Sequence, residues 1–459
     1  MVVLWASLLG WHPLTAQVHT DILKWSEYPA IPDSIGFNGS FVGVHNNVLL
    51  VAGGANFPAQ PVWEGGPKHW YSNIYVLTQN QTGKFQWVTD TKQSLPEPIA
   101  YGVSIETEKG LVCIGGNNSK GIRSQVYRLS WDQQNQSLER HELPKLTTPM
   151  ASMGGARIGD VIYLVGGQKD SQGGATSSFL ALDLSKEGTP EFKWEELPSF
   201  PGSQRINPVV IAQNNGQLDA LFVFSGRNYV PDSFPQHELL SDVYMYNPKS
   251  KAWTRRKDIP PNGTPGIEGG FIGAAPAVAY GGSHILVFGG AGGPNQYLME
   301  RAQIETEIQQ LAKDSSSNQV QRLQQIQGNR QKLTELIKET SFTRTVLVYH
   351  TITDTWVAAD TLPSQGQVVT AAVIYKGSIV IPGGEISPGV RTNKELKGDF
   401  VPYSPEFGMV NYFTLGGYLA LIVWMGWYFS KRNTSSDDYF LGGKRVPWWA
   451  AGLSIYATM

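Results

Sequence analysis

A unit of about 50 residues recurs between Leu23 and about Asp399, and a period of this length is typical of folds built from repeated supersecondary units. Each copy contains an apolar strand ending in Gly-Gly, a polar loop, an aromatic-rich strand, and a Trp-containing strand that closes on Leu-Pro or Ile-Pro. We take the Gly-Gly strand as the first of each unit, and its six copies are 48–54, 111–116, 161–167, 221–226, 285–290 and 379–384. Many glycines and aromatics with few charges also predict an all-β protein with numerous tight turns.

This repeat resembles the kelch repeat, and the resemblance implies a β-propeller with six blades of four strands around an axis. The Gly-Gly pair permits a backbone bend that a Cβ atom would block, and the aromatic side chains fill the space between blades. The sixth copy lacks its last strand, whereas residues 22–29 have the closing-strand pattern, including Trp25, without a copy of their own. We expect this strand to pair with those of 378–397, which joins the two chain ends and removes the open edge of the ring.

Residues 296–340 break the β pattern inside the fifth copy. They are rich in Gln, Glu, Lys and Arg, and their apolar residues occur at helical spacing. Residues 314–318 form a turn of the kind that caps helices, so the sequence predicts a helical hairpin inserted after the fifth Gly-Gly strand. Its role stays open between a solvated decoration and a lid over one end of the axis.

Two apolar segments outside the repeat indicate a membrane. The first predicts a signal peptide at 1–17, so that the propeller domain occupies 18–400. The second, 407–430, contains no charged residue and has about the 20 residues that a helix needs to cross a bilayer. Because Lys431 and Arg432 follow at once, we expect a membrane protein whose propeller lies on the extracytoplasmic, periplasmic side. A buried helix of a soluble protein is the alternative.

The charge balance and the cysteine count exclude some classes of partner and site for this chain. Charged residues are 16% of the chain and the formal net charge is -2, so the basic excess of a nucleic-acid binder is missing. Cys113 is the only cysteine, which excludes a disulfide within this sequence and a cysteine-based metal site. We therefore expect no nucleic acid partner and no metal bound through cysteine.

Loops that follow the first strands of a propeller lie at the same end of its axis, so their polar residues should converge. The candidates are Asn56, His69, Tyr101, Asn117, Asn118, Gln168, Arg227, Asn228, Glu385 and Arg391. Four of them are predicted to bind substrate: Arg227, Asn56, Asn118 and Tyr101. Asn is also a common turn former, and Arg227 could instead make an ion pair between blades, so these interpretations remain alternatives.

The turn after the sixth Gly-Gly strand places the carboxylate of Glu385 and the guanidinium of Arg391 close together in sequence, at the rim of the β-structure. One acid/base group and one anion-binding group are the minimum for chemistry on a small acidic sugar. A surface turn with an incidental Glu–Arg pair is the alternative interpretation.

Residues 22–396 also resemble the bacterial N-acetylneuraminate epimerases, the sialic acid mutarotases, in circularly permuted blade order. The segments that carry this resemblance are 39–44, 52–57, 100–104 and, above all, 384–392. The resemblance implies that Glu385 and Arg391 are the catalytic pair of an isomerase that interconverts α and β anomers of N-acetylneuraminate by acid/base ring opening. Glu385 would take and return the anomeric proton, and Arg391 would bind the sugar carboxylate and counter charge on the opening oxygen. This chemistry requires no metal and no redox cofactor.

Residues 401–459 form the last predicted domain, a transmembrane segment followed by the start of a second one. From residue 407 onward they resemble the start of a sodium:solute symporter, carried by the stretches 438–444 and 446–459. In that family a broken helix contributes to a sodium site. The sequence stops where such ligands would begin, so sodium is expected as a partner only through a missing symporter part.

These observations favour a mutarotase tethered beside a sodium-coupled transporter that imports its product. The alternative is a non-catalytic propeller that binds glycans or a partner protein as a domain of the symporter, and a symporter with a silent propeller is a third possibility. A pure binder of an acidic sugar has no use for the carboxylate of Glu385, which would repel such a ligand.

Overall fold

The computed structural model describes residues 22–88, 93–170, 174–229, 237–261, 271–291, 295–313, 318–402 and 408–431. The predicted signal peptide and the symporter-like stretches after residue 432 lie outside these residues. The chain divides into two compact units between Val401 and Pro402, and each is described by itself.

Six antiparallel four-stranded sheets form the blades of the first unit, within the residues described. A strand that precedes them in the chain is β1 (Leu23–Tyr28). Blade 1 and its loop contain β2 (Phe41–His45), β3 (Val48–Ala52), β4 (Ala55–Asn56), β5 (His69–Trp70), β6 (Ile74–Gln79) and β7 (Phe85–Val88). Blade 2 and its loop contain β8 (Val103–Thr107), β9 (Gly110–Ile114), β10 (Asn117–Asn118), β11 (Gly121–Ile122), β12 (Val126–Asp132) and β13 (Ser137–Glu142). Blade 3 contains β14 (Gly154–Ile158), β15 (Val161–Val165), β16 (Phe179–Asp183) and β17 (Glu195–Glu196).

The remaining blades repeat this arrangement. Blade 4 and its loop contain β18 (Val209–Asn214), β19 (Asp219–Phe224), β20 (Arg227–Tyr229), β21 (His237–Leu239), β22 (Val243–Asn247) and β23 (Ala252–Arg256). Blade 5 contains β24 (Ala277–Tyr280), β25 (His284–Gly290), β26 (Thr343–His350) and β27 (Thr355–Thr361). Blade 6 and its loop contain β28 (Val373–Tyr375), β29 (Ser378–Pro382), β30 (Glu385–Ser387), β31 (Val390–Arg391) and β32 (Glu395–Phe400). The predicted six-bladed propeller is therefore confirmed.

The two ends of the propeller chain meet in blade 6, whose strand order is β28, β29, β32, β1. Strand β1 pairs antiparallel with β32 from Leu23 opposite Phe400 to Tyr28 opposite Glu395. This pairing confirms the closure that the N-terminal Trp-containing strand predicted.

The Gly-Gly strand was predicted to be the first of its blade, and this is wrong. In every blade it is the second strand, and an innermost strand precedes it. Innermost strands such as β2 and β14 contain glycines where they pack closely against a neighbouring blade, and these glycines interrupt the apolar run. In β2, for example, a Cβ atom on Gly43 would lie 2.2 Å from Leu111 of the next blade. A pattern based on apolar runs therefore misses them.

The hydrophobic core consists of clusters between neighbouring blades. Leu50 and Val76 of blade 1 pack with Leu111 and Trp131 of blade 2, and all four side chains are buried. Because each blade is covered on both faces by its neighbours, the second strands contain long apolar runs, and β3, β9 and β29 are buried throughout.

The Gly-Gly pairs have left-handed backbone at both positions, as in Gly383 (φ 58°) and Gly384 (φ 97°). A Cβ atom on Gly384 would lie 2.9 Å from the carbonyl oxygen of Val368 in the loop before its own blade. The bend sends the following residue toward one end of the axis. In blade 4 a serine, Ser225, takes the first position at φ 56°.

The predicted helical hairpin is confirmed in blade 5. Helices α1 (Asn295–Lys313) and α2 (Gln319–Glu339) follow β25 and precede β26. The side chain of Asn318 caps α2 by accepting a hydrogen bond from the Val320 N–H at 3.0 Å. We call α1 and α2 the inserted hairpin.

The second unit contains one described helix, α3 (Met409–Ser430). Its stretch Met409–Tyr428 is long and apolar enough to cross a membrane by length and composition. This agrees with the segment identified from the sequence.

Candidate active site

Six backbone hydrogen bonds form a closed ring around the propeller axis, one from each blade. The residues of this axial ring are Gly39, Tyr101, Ser152, Asn207, Ala274 and Val369. Each N–H donates to the carbonyl of the preceding member, and that of Gly39 donates to Val369, with lengths between 2.7 and 2.9 Å. All six have φ between 52° and 70°, a conformation that is uncommon for residues other than glycine. The ring separates the channel through the innermost strands from a cavity on the loop side.

The cavity on the loop side, here called the mouth cavity, has a volume of about 490 Å³. Its wall includes the residue directly after the Gly-Gly position in blades 2 to 6, namely Asn117, Gln168, Arg227, Ala291 and Glu385. Arg391 and Tyr101 line it as well. Residues from distant parts of the chain thus converge here, as the propeller geometry predicted.

The carboxylate of Glu385 is held by three donors. Its Oε1 atom accepts hydrogen bonds from the Gly389 N–H at 2.6 Å and from Nη1 of Arg391 at 3.4 Å. Its Oε2 atom accepts one from Nδ2 of Asn38 at 2.5 Å. The side chain is 16% exposed, so the carboxylate is fixed in position and still reaches the cavity.

The spacing of Glu385 and Arg391 follows from a two-stranded hairpin in which these residues pair directly. Gly389 makes the turn at φ 83°. The Arg391 side chain is only 4% exposed, and its guanidinium carbon lies 4.7 Å from the centroid of the Phe57 ring. Its Nε atom is buried without a hydrogen-bond partner. The Arg391 side chain therefore interacts mainly with Glu385 and Phe57.

Arg227 lines the same cavity from β20, and its Nε atom is buried without a partner. Burial lowers the pKa of Arg227, the charge of Arg301 lowers it further, and Glu385 opposes both. His237, on the neighbouring strand, responds to the same charges. Burial, followed by Arg227 and Arg301, lowers the pKa of His237 to about 4, so its imidazole is neutral near pH 7.

Two residues predicted to bind substrate do not line the mouth cavity. Asn56 is buried, and its amide bonds to the Gly36 carbonyl and the Tyr71 hydroxyl. The amide of Asn118 donates to Glu97 at 3.0 Å and to the Pro98 carbonyl at 3.1 Å. Both amides connect loops.

The alternation of a strand explains this division. Residues directly after the Gly-Gly position face the cavity, as Asn117 does, so the next residue, such as Asn118 or Asn228, faces the other way. His69 is exposed and packs edge-on against Tyr71. The position of each residue relative to the Gly-Gly pair could therefore have separated the candidates that face the cavity from those that do not.

Sequence reasoning missed several residues of the cavity, and the most informative of them are Asn38, Lys68 and Arg301. Nζ of Lys68 lies 4.8 Å from the centroid of the Tyr101 ring and 5.8 Å from that of Trp70. Asn38 precedes the innermost strand of blade 1, and Arg301 belongs to the inserted hairpin, so neither lies in a Gly-Gly loop. The described residues contain no group of three or more His, Cys, Asp or Glu arranged to hold a metal ion.

Comparison with known proteins identifies the family. The sequence profile of N-acetylneuraminate epimerase matches residues 13–138 and 143–408, which is most of the chain. This chain belongs to the N-acetylneuraminate epimerase family. It is 27% identical over 257 residues to the N-acetylneuraminate epimerase of Haemophilus influenzae (strain PittEE), a match covering 56% of this chain and 59% of that protein. The chain thus spans less than two thirds of the curated epimerases that it matches.

Two further similarities concern the fold and the C-terminal unit of this epimerase-family chain. The solved structure of YjhT matches with a TM-score of 0.52 and 13% identity, covering 81% of this chain and 96% of YjhT, which supports the propeller fold. The sodium/sialic acid symporter SiaT of Proteus mirabilis (strain HI4320) is 58% identical over 53 residues, which are 12% of this chain and 11% of SiaT. That short match is consistent with a fusion to a symporter segment.

Proposed function

We propose that this chain interconverts the α and β anomers of N-acetylneuraminate. The geometry of Glu385 carries the proposal, because three donors hold its carboxylate at the wall of a cavity. The other charged residues of that wall are Lys68, Arg227, Arg301 and Arg391. A single positioned carboxylate among cations suits acid/base chemistry on an anionic substrate, and family membership supports a sialic acid.

The proposed reaction needs one proton carrier. Glu385 removes the proton of the anomeric hydroxyl, the bond between the anomeric carbon and the ring oxygen breaks, and its electron pair moves to the ring oxygen. The anomeric carbon becomes a ketone carbonyl, and Glu385 delivers the proton to the ring oxygen. Rotation about the adjacent carbon–carbon bond presents the other carbonyl face, and the reverse sequence closes the ring. Both oxygens are attached to one carbon, so a single carboxylate can serve both.

In this proposal Arg391 keeps Glu385 in place and counters the negative charge that develops on the ring oxygen. Its contact with Glu385 and its burial support the first role. Tyr101 and Asn117 are proposed to contact the sugar hydroxyls from the neighbouring wall, which they line with polar atoms.

We further propose that α3 tethers the propeller to a membrane on its extracytoplasmic side, next to a sodium-coupled transporter of the same sugar. The apolar stretch Met409–Tyr428 and the positive residues that follow it support this orientation. The match to SiaT supports the transporter. Such an arrangement would supply the anomer that the transporter prefers.

The test is proton NMR exchange spectroscopy of N-acetylneuraminate with the full chain in detergent and its Glu385→Gln variant. We expect the wild type to accelerate anomer exchange and the variant to lose at least about 100-fold of that acceleration. Glu139→Gln, an exposed carboxylate on β13, serves as the matched control and should keep full activity.

A folded wild-type protein that leaves the exchange rate unchanged would contradict the proposal. If it still bound N-acetylneuraminate, the non-catalytic binding propeller would be the better description. Full activity in the Glu385→Gln variant would support the mutarotase activity and show that Glu385 is not its proton carrier.

A further inference from the structure

Two neighbouring arginines, Arg205 and Arg227, differ in the hydrogen-bond partners of their guanidinium groups. Arg205 is fully buried, and its guanidinium donates to both carboxylate oxygens of Asp242 at 2.8 Å and to the Ser225 carbonyl at 2.8 Å. Arg227 pairs through its backbone with Ile206, the residue next to Arg205. Its guanidinium, however, makes no ion pair or side-chain hydrogen bond with the residues that the structure describes, and its Nε is buried. Arg227 is half-buried, and a buried donor such as its Nε is costly without a partner, so Arg227 is suited to an anionic ligand.

The inserted hairpin brings a second guanidinium to the same cavity. Arg301 of α1 lines the mouth cavity together with Arg227 and Glu385. Its Nε donates to Oε1 of Glu305, one helical turn later, at 2.9 Å, which orients the side chain along the helix. Both guanidinia line this one cavity, and the positive charge of Arg301 lowers the pKa of Arg227. A carboxylate in this part of the cavity would relieve their mutual repulsion.

Glu385 and Arg391 line the same cavity and are hydrogen-bonded to each other. The charge of Glu385 repels an anion from its own side, whereas Arg227 and Arg301 attract it. In N-acetylneuraminate the carboxylate is attached directly to the anomeric carbon. Holding that carboxylate therefore determines where the anomeric hydroxyl lies relative to Glu385.

We propose that Arg227 and Arg301 together bind the carboxylate of the sugar acid, so that the inserted hairpin forms part of the substrate-binding site. This inference rests on the proposed function, and it moves the carboxylate-binding role expected of Arg391 to these two residues. It also favours the hairpin as a functional element over the hairpin as a solvated decoration.

The test compares Arg301→Ala with Arg322→Ala in the full chain in detergent. Arg322 lies on α2 outside the mouth cavity and is a matched control on the same hairpin. Losing a charge-assisted hydrogen bond to a carboxylate should raise the KM of Arg301→Ala for N-acetylneuraminate about 10- to 100-fold, with kcat within a few-fold of wild type. Arg227→Ala should act in the same direction, and the double variant should lose less than the product of the single effects.

The uncharged methyl ester of N-acetylneuraminate separates a carboxylate contact from a structural effect. We expect Arg301→Ala and wild type to bind the ester equally. The ester carries no carboxylate charge, so Arg301 has no ionic interaction to lose. An equal loss for acid and ester would overturn the proposal, as would a KM for Arg301→Ala that matches the Arg322→Ala control.

The failure of this inference can be distinguished from that of the proposed function. If the wild type accelerates exchange while Arg301→Ala resembles the control, only the carboxylate site is overturned. If no variant accelerates exchange, saturation-transfer NMR of bound N-acetylneuraminate still decides between binding that depends on Arg301, which supports the site, and binding that does not, which overturns it.

Discussion

Two glutamates of blade 6 have opposite surroundings. Glu385 accepts hydrogen bonds from three donors and reaches the mouth cavity. Glu395, on β32, is fully buried, and both of its carboxylate oxygens lack a partner. Burial raises the pKa of Glu395 well above its ordinary value, because a buried carboxyl group without partners favours its neutral form.

Glu395 should therefore make stability depend on pH. The unfolded chain releases this proton near the ordinary pKa of a glutamate, whereas the folded chain retains it, so stability is highest below that pKa and falls as pH rises toward the folded pKa. Glu395→Gln removes this loss. We expect the variant to gain about 1.4 kcal/mol relative to wild type for each pH unit between the ordinary and the folded pKa of Glu395, measured by urea unfolding at a series of increasing pH values. A difference that does not change with pH would contradict the prediction.

The residues of the candidate site were partly predictable from sequence, and the limit is physical. Glu385 and Arg391 lie in one turn, so a local pattern contains both. The contact between Asn38 and Glu385 joins positions 347 residues apart, and it exists only because the propeller closes. Arg301 reaches the cavity through the packing of a helix whose own sequence reads as a solvated surface. Such residues leave no local signal.

At the scale of elements, the inserted hairpin leaves and rejoins blade 5 at one point. Gly290 at the end of β25 pairs with Thr343 at the start of β26, so the two ends of the insertion are adjacent. In the described part of the hairpin, Ile337 is the buried side chain of α2. The propeller core is therefore built without these helices.

Replacing residues 292–341 with a short Gly-Ser linker should leave the propeller folded and weaken substrate binding. We expect the melting temperature to change by only a few degrees, because loop length contributes little to stability. The KM for N-acetylneuraminate should rise at least as much as in Arg301→Ala. The melting temperature from circular dichroism and the KM from NMR exchange check these two outcomes. An unfolded product, or a fully active one, would contradict the independence of the core or the role of the hairpin, respectively.

The elements themselves were predictable to differing degrees. Strands with long apolar runs and the Trp-containing strands were evident because burial between blades requires them, and the helical period identified the hairpin. Innermost strands were missed where close packing against the next blade requires a small residue such as Gly43, which interrupts the apolar run. The apolar length of α3 was equally evident from sequence.

At the scale of the whole molecule, closure of the propeller ring and formation of the candidate active site depend on each other. The axial ring takes one backbone hydrogen bond from each blade, so the floor of the mouth cavity is complete only when all six are in place. Asn38, in the loop before blade 1, bonds to Glu385 of blade 6 across the seam between the chain ends. That seam is held together by β1 and β32.

Weakening the seam should therefore destabilise the propeller as one unit. Leu23 of β1 is 2% exposed and packs in the cluster between blades 5 and 6, so Leu23→Ala should cost about 2–5 kcal/mol. Leu323→Ala on α2, where the side chain is 55% exposed, is the matched control and should cost far less. We expect tryptophan fluorescence and anomer exchange to be lost in a single transition at a lower temperature than in wild type. If activity disappeared well before the fluorescence change, blade 6 would open separately, and the coupling between closure and site would be confined to that blade.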